Sequence, residues 1–181
     1  MKQTSSFVGP GTLGSQRSRT SAGFLTFGIA VLLFFVGLAV HESLHLAVLN
    51  LIGGHGSLIV RPWKFALVDL SLPSVHVQPV PALDLGHQLA VNFFGPAVAA
   101  ALFAIPLAYV RNRPLRLALG ASVAVLIFYA AIESAYLLDD AYLNVDLGVL
   151  VTPEFNYGVP LAFCVAAGLL AAFSPPRVRS R

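Results

Sequence analysis

Five consecutive residues, His41-Glu42-Ser43-Leu44-His45, carry the chemistry most readily read from this chain. On a helix, positions four apart share a face, with Cβ atoms about 5–6 Å apart. Two imidazoles so placed can grip one divalent ion, and the intervening glutamate can take a proton from water held there. In a chain with five histidines, composition alone predicts roughly 0.002 chance occurrences of this pattern. The plainer alternative is a helix end whose polar residues meet headgroups and water. It accounts for one histidine, but not for His, Glu and His together after the uncharged run Phe24–Val40, because ionisable groups near a bilayer are costly and usually functional.

The elements that must position this motif are membrane segments. The 181 residues suffice for one domain, 57% are hydrophobic and only 10% are charged, against about 25% charged in a soluble domain. Four apolar segments are expected: about Phe24–Leu51, Leu89–Val110, Leu117–Leu138 and Tyr157–Phe173. The fold class is an all-α polytopic membrane protein with about four transmembrane helices. A short β-hairpin-like loop is expected between the first two. Residues 1–22 read as a disordered tail, 23–176 as one membrane-embedded metalloprotease-like domain, and 177–181 as a basic tail. Tail and apolar run are taken together as tail and span, not as a cleaved leader. The single cysteine, Cys164, leaves neither a disulfide framework nor a thiolate metal site, so any metal must use His and carboxylates.

Residues 54–87 break the helical pattern with Pro62, Pro73, Pro79 and Pro81. Ser57–Val60, Phe65–Leu70 and Ser74–Gln78 are strand candidates. They form either an edge that holds an extended substrate by strand addition or an ordinary connecting loop. Near the start of the second segment, Asn92 precedes Gly95-Pro96. Asn92 can offer a donor to a substrate carbonyl or bond a neighbouring helix.

Charge sets an expected orientation. Lys2, Arg17, Arg19, Arg111, Arg113, Arg116, Arg177, Arg179 and Arg181 are nine of the eleven Lys and Arg, and four spans place them all on one side. The positive-inside rule makes that side, with both termini, cytoplasmic. A bacterial cell membrane is the expected setting. The pI near 9.4 reflects these flanks, and no nucleic-acid partner is expected. The motif, Asn92 and Asp139, Asp140 and Asp146 then fall toward the opposite face.

A catalytic zinc takes three protein ligands, so a third is needed beside His41 and His45. Depth along the third segment favours Asp140 or Glu133, each within roughly 6 Å of the motif's level. His55, His76 and His87 lie in loops that fix no position for them. Either acid can instead hydrogen-bond a ligating histidine.

Three features resemble the site-2 protease family of intramembrane zinc metalloproteases, particularly its small bacterial and plant-like branch. They are the His-Glu-x-x-His motif followed by Gly53-Gly54, the Gly95-Pro96 element, and the stretch from Glu133 through Asp139-Asp140 to Asp146. The resemblance spans about Phe24 to Pro160. It implies a Zn²⁺ cofactor with His41 and His45 as ligands, Asp146 as third ligand and Glu42 as general base. The implied activity is cleavage of transmembrane segments of other proteins within the lipid bilayer. Asp146 rests on the resemblance and Asp140 on depth, and both stand as metal candidates. A non-proteolytic relative that binds metal or membrane partners is the alternative. A transport path is a third reading, with acids grouped at one face arguing against it.

Overall fold

A computed structural model describes residues 11–66, 69–143 and 145–173. Four helices, α1 (Gly11–Leu51), α2 (Leu85–Tyr109), α3 (Arg113–Leu138) and α4 (Pro153–Phe173), enclose the core, and an antiparallel hairpin of β1 (His55–Lys64) and β2 (Ser71–Val80) joins α1 to α2. All four helices contain stretches long and apolar enough to cross a membrane: Arg19–Leu51, Leu85–Tyr109, Arg113–Leu143 (α3 and the turn after it) and Pro153–Phe173. Their outward faces carry exposed Phe24, Leu32, Ile127 and Leu170, as expected of lipid-facing surface.

Helix α1 begins at Gly11, inside the stretch that the sequence reads as tail. Once the apolar run has nucleated a helix, each further turn costs little. Residues 1–10 and 177–181, read as tails, lie outside the described residues. At the other end Gly53 adopts φ +80°, and the Gly54 amide donates to the Leu49 carbonyl at 3.0 Å. This is the glycine C-cap that Gly53-Gly54 predicts. Helix α2 is capped by Asp84, whose Oδ1 accepts from the His87 amide at 3.0 Å. That amide, followed by the His87 ring, holds the exposed Asp84 carboxyl below its ordinary pKa.

Small residues bring α1 and α4 together. A Cβ at Gly23 would meet the Ala172 Cβ at 2.9 Å, and one at Gly168 would lie 3.1 Å from the Gly23 carbonyl. Close backbone approach of this kind holds helices together where lipid removes the hydrophobic drive between them. Ala30, Phe34, Val125, Tyr129 and Cys164 fill the main core, and Ala99, Ala100 and Leu126 a second cluster between α2 and α3.

The hairpin pairs His55 with Val80 through Lys64 with Ser71. Its strands run through Pro62, Pro73 and Pro79, residues that in the sequence read as breaks. The expected third strand, Phe65–Leu70, is instead the turn region, closed by the Phe65 amide donating to the Leu70 carbonyl at 3.0 Å. That bond sets the parity of the ladder. Pro62↔Pro73 and Gly56↔Pro79 then fall at pairs that exchange no hydrogen bonds, where a missing N–H costs the ladder nothing.

The hairpin is tied down by α4. The Tyr157 hydroxyl donates to the Pro73 carbonyl at 2.6 Å, its ring centroid lies 6.1 Å from that of Trp63 and 5.8 Å from that of Phe65, and the Ala66 amide donates to Glu154.

The α1–α4 contact supplies a test of the packing. Gly23→Leu should cost about 1–3 kcal/mol, the usual penalty of overpacking, and lower the thermal midpoint in mild detergent. Gly28→Leu, where a Cβ meets nothing within 4 Å, should leave the midpoint nearly unchanged.

Candidate metal centre

The last turns of α1 carry His41 and His45 on one face, as their spacing demands, and that face points inward. His41 is 1% and His45 6% exposed. Their Nε2 atoms lie 2.5 Å apart. From α3, Glu133 places one carboxylate oxygen 3.2 Å from His41 Nε2 and the other 3.2 Å from His45 Nε2. Among the described residues, these three form the one set of His, Cys or acidic side chains with ligand atoms all within 4.8 Å of one another.

Neighbouring residues fix each ring. His41 stacks on Tyr129, centroids 5.4 Å apart and planes 21° apart. Tyr129 is itself anchored by its hydroxyl, which donates to the Asn156 carbonyl at 2.6 Å. His45 lies against Gly95, where an added Cβ would fall 2.8 Å from the ring. Gly95 thus lets α2 approach a ligating side chain more closely than any larger residue could. His41 Nδ1 is buried without a hydrogen-bond partner among the described residues, and the nearest carboxylate oxygen, Glu42 Oε1, is 4.0 Å away.

These donors suit a first-row divalent ion. Four-coordinate bonds of about 2.0 Å separate ligand atoms by ~3.3 Å, and both His–Glu133 separations are 3.2 Å. The closer Nε2 pair would part by less than ~1 Å around such an ion.

Two cavities flank the cluster. One of about 120 Å³ is lined by Glu42, His45, His76, Asn92 and Glu133. The other, about 430 Å³, is lined by His41, Glu42, Trp63, Tyr129, Glu133 and Tyr157 among others. Glu42, 8% exposed, borders both and stands beside the cluster without belonging to it. Asn92 walls the smaller cavity. Its Oδ1 accepts from Gln88 at 2.7 Å and its Nδ2 donates to the Glu133 carbonyl at 3.5 Å, so it bonds the neighbouring helix.

Of the two acids that depth favours, Glu133 joins the cluster and Asp140 does not, and Asp146, which the resemblance implies, lies elsewhere. Asp139 opens a π-helical turn, Asp139–Leu143, and is buried. Its carboxylate accepts from the Val145 and Leu147 amides at 2.7 and 2.9 Å. Asp140 is exposed on the same turn. Asp146 is exposed with φ 62° and caps the following 3₁₀ turn. Neither Asp140 nor Asp146 joins the cluster. Contrary to expectation both are turn residues: Asp140 lies on the π turn that follows α3, and Asp146 caps the 3₁₀ turn after it. Of the loop histidines, His55 and His87 are exposed, while His76 borders both cavities. The aromatic wall of Trp63, Tyr129 and Tyr157 has no local sequence signature, since three separate elements supply it.

Compared with protein-family models, with curated proteins and with solved structures, the chain finds no match.

The approach of α2 can be tested without altering a ligand. Gly95→Ala should displace the His45 ring and weaken Co²⁺ binding by about tenfold or more, the usual effect of disturbing a residue that orients a ligand. Absorbance titration of detergent-solubilised protein measures it.

Proposed function

We propose that the chain is an intramembrane zinc metallopeptidase that cleaves transmembrane segments of other membrane proteins. The observation that carries this reading is the His41–His45–Glu133 cluster, its two histidines buried, beside Glu42 and open to two cavities. Two histidines and a carboxylate form a ligand set that suits zinc and leaves one position open. The resemblance of His41–His45, Gly53-Gly54 and Gly95-Pro96 to the site-2 protease family supports the same reading, with Glu133 in place of the aspartate that the resemblance implies.

His41, His45 and Glu133 would hold the ion. Zinc, when bound, supplies Lewis acidity that polarises a peptide carbonyl and makes water a better nucleophile near neutral pH. Glu42 takes the proton from the attacking water and delivers it to the leaving amine. It lies between the two histidines in the chain and borders both cavities, so it reaches water and substrate from one position. Tyr129 stacked on His41 and the close approach of Gly95 to His45 hold the imidazoles in place. The hairpin roofs the cavities and limits bulk water.

Helical rise supports a site near one membrane face. Gly23 to His45 is about 33 Å and Arg113 to Glu133 about 30 Å, each close to the ~30 Å hydrocarbon thickness. With the basic flanks cytoplasmic, cleavage occurs toward the non-cytoplasmic side, where a substrate helix can fray into extended chain.

Metal analysis in mild detergent tests the ligand set. Wild type should hold about one zinc. His41→Ala and Glu133→Gln should lose it, while Asp140→Ala and Asp146→Ala should retain it. Zinc lost in Asp146→Ala and kept in Glu133→Gln would reverse the assignment. Glu42→Gln should keep the metal and lower cleavage of a transmembrane reporter in the same micelle by at least ~100-fold, as expected for a general base. Cleavage by the Gln variant at the wild-type rate would refute Glu42 as the base, while a wild type that binds zinc and does not cleave would favour a non-proteolytic metal-binding relative.

A further inference from the structure

The larger cavity has an edge that the hydrolytic reading does not use. Arg61 of β1 lines it, and the register pairs Arg61 with Ser74 and Ile59 with His76. Side chains two apart on a strand share a face, so Arg61, Ser74 and His76 lie on one side of the hairpin, and all three border this cavity. Among the described residues no carboxylate forms an ion pair with Arg61. Its position is also an exception. Only Arg61 and Lys64 of the eleven Lys and Arg lie outside the two tails and the 111–116 connection, and Arg61 borders the candidate metal cavity.

We infer that this cavity is a recognition site for a peptide carboxylate next to an apolar side chain, with Arg61 as its anion-binding group. The guanidinium offers a planar fork of donors that matches a carboxylate's two oxygens, and Ser74 and His76 stand on the same face of the hairpin to share it. Trp63, Tyr129 and Tyr157 supply an aromatic wall for the apolar body. A volume of about 430 Å³ lies in the range of small-ligand sites and admits one large side chain with its backbone. Glu42 and Glu133 border the same cavity, so a ligand carboxylate sits at the Arg61 end, away from them. The carboxylate can be an acidic side chain or a chain terminus. As a substrate subsite the cavity rests on the peptidase reading; as an anion site it does not.

Trp63 is the chain's one tryptophan and stands in the cavity wall, so its fluorescence reports binding directly and without catalysis. Three probes are titrated into chelator-treated protein in a neutral maltoside detergent. N-acetylphenylalanine bears a terminal carboxylate, N-acetylphenylalaninamide bears none, and N-acetyl-phenylalanyl-glutamyl methylamide bears only a side-chain carboxylate. At least one acid should bind about tenfold or more tightly than the amide, the scale of a charge-assisted hydrogen bond, and which acid binds identifies the source. Arg61→Gln should abolish that preference and leave amide affinity and thermal midpoint unchanged. Arg61→Lys, which keeps the charge without the fork, should retain part of it. Equal affinities in wild type, or a preference that survives Arg61→Gln, would overturn the inference. So would a Trp63 response that depends on Arg61 and appears only with phosphatidylglycerol nanodiscs, since Arg61 would then be a headgroup anchor. Because the titration uses chelated protein, an Arg61-dependent preference stands whether or not the metal analysis supports the zinc centre, and the two readings fail separately.

Discussion

The packing of this bundle answers to one constraint: two imidazoles shut away from solvent and one partly exposed carboxylate must converge between apolar helices. An unpaired ionisable group there is expensive, so the three groups face one another. This fixes the rotation of α1 relative to α3, because only one face of α1 carries both His41 and His45 and only one position of α3 carries Glu133. Helix α2 can close the arrangement only where its surface is hollow, which is the role of Gly95. The stacking of Tyr129 on His41 ties the same centre to α4 through the Asn156 carbonyl. The small-residue contacts of Gly23 and Gly168 serve this geometry at a distance by holding α1 and α4 in register.

What was legible in the sequence was local or compositional. The 3.6-residue period puts His41 and His45 on one face wherever the helix goes, and long apolar runs announce spans whatever they pack against. The Gly53-Gly54 cap follows from backbone conformation alone. The partner of the two histidines is a different kind of fact. It depends on which turn of α3 faces α1, and that is set by side chains such as Val125, Tyr129 and Ile132 packing on Ala30 and Phe34. Counting depth puts Glu133 and Asp140 at similar distances from the motif's level, one short of it and one beyond, and cannot choose between them. The π turn at Asp139 then carries the chain away from the site, and Asp139 spends its carboxylate on the Val145 and Leu147 amides. A cluster of acids at the end of a span therefore serves as turn chemistry, while the isolated acid within the helix faces the histidines.

The hairpin shows the same division. Its existence was readable from alternation, but its extent was not, because proline is read as a break unless the pairing parity is known. The parity also decides what the hairpin does above the site. With Trp63, Phe65 and Ala66 bound to the first turns of α4, the ribbon folds back over the cavities and brings Arg61 and His76 to their border. The aromatic wall is thus an assembly of three remote segments, which explains why no short motif announces it.

The placement of the prolines has one more consequence. At pairs that exchange no ladder bonds, each residue's amide points away from the partner strand. On β1 those positions are Gly56, Leu58, Val60, Pro62 and Lys64, and on β2 they are Ser71, Pro73, Val75, Val77 and Pro79. The outer border of β2 is thus interrupted on both sides of Val75 and Val77, while that of β1 offers consecutive donors from Gly56 to Val60. Pro62 ends that row, so the ribbon's two borders differ in degree: β2 keeps two adjacent outward donors between its prolines, Val75 and Val77, and β1 keeps three before its own.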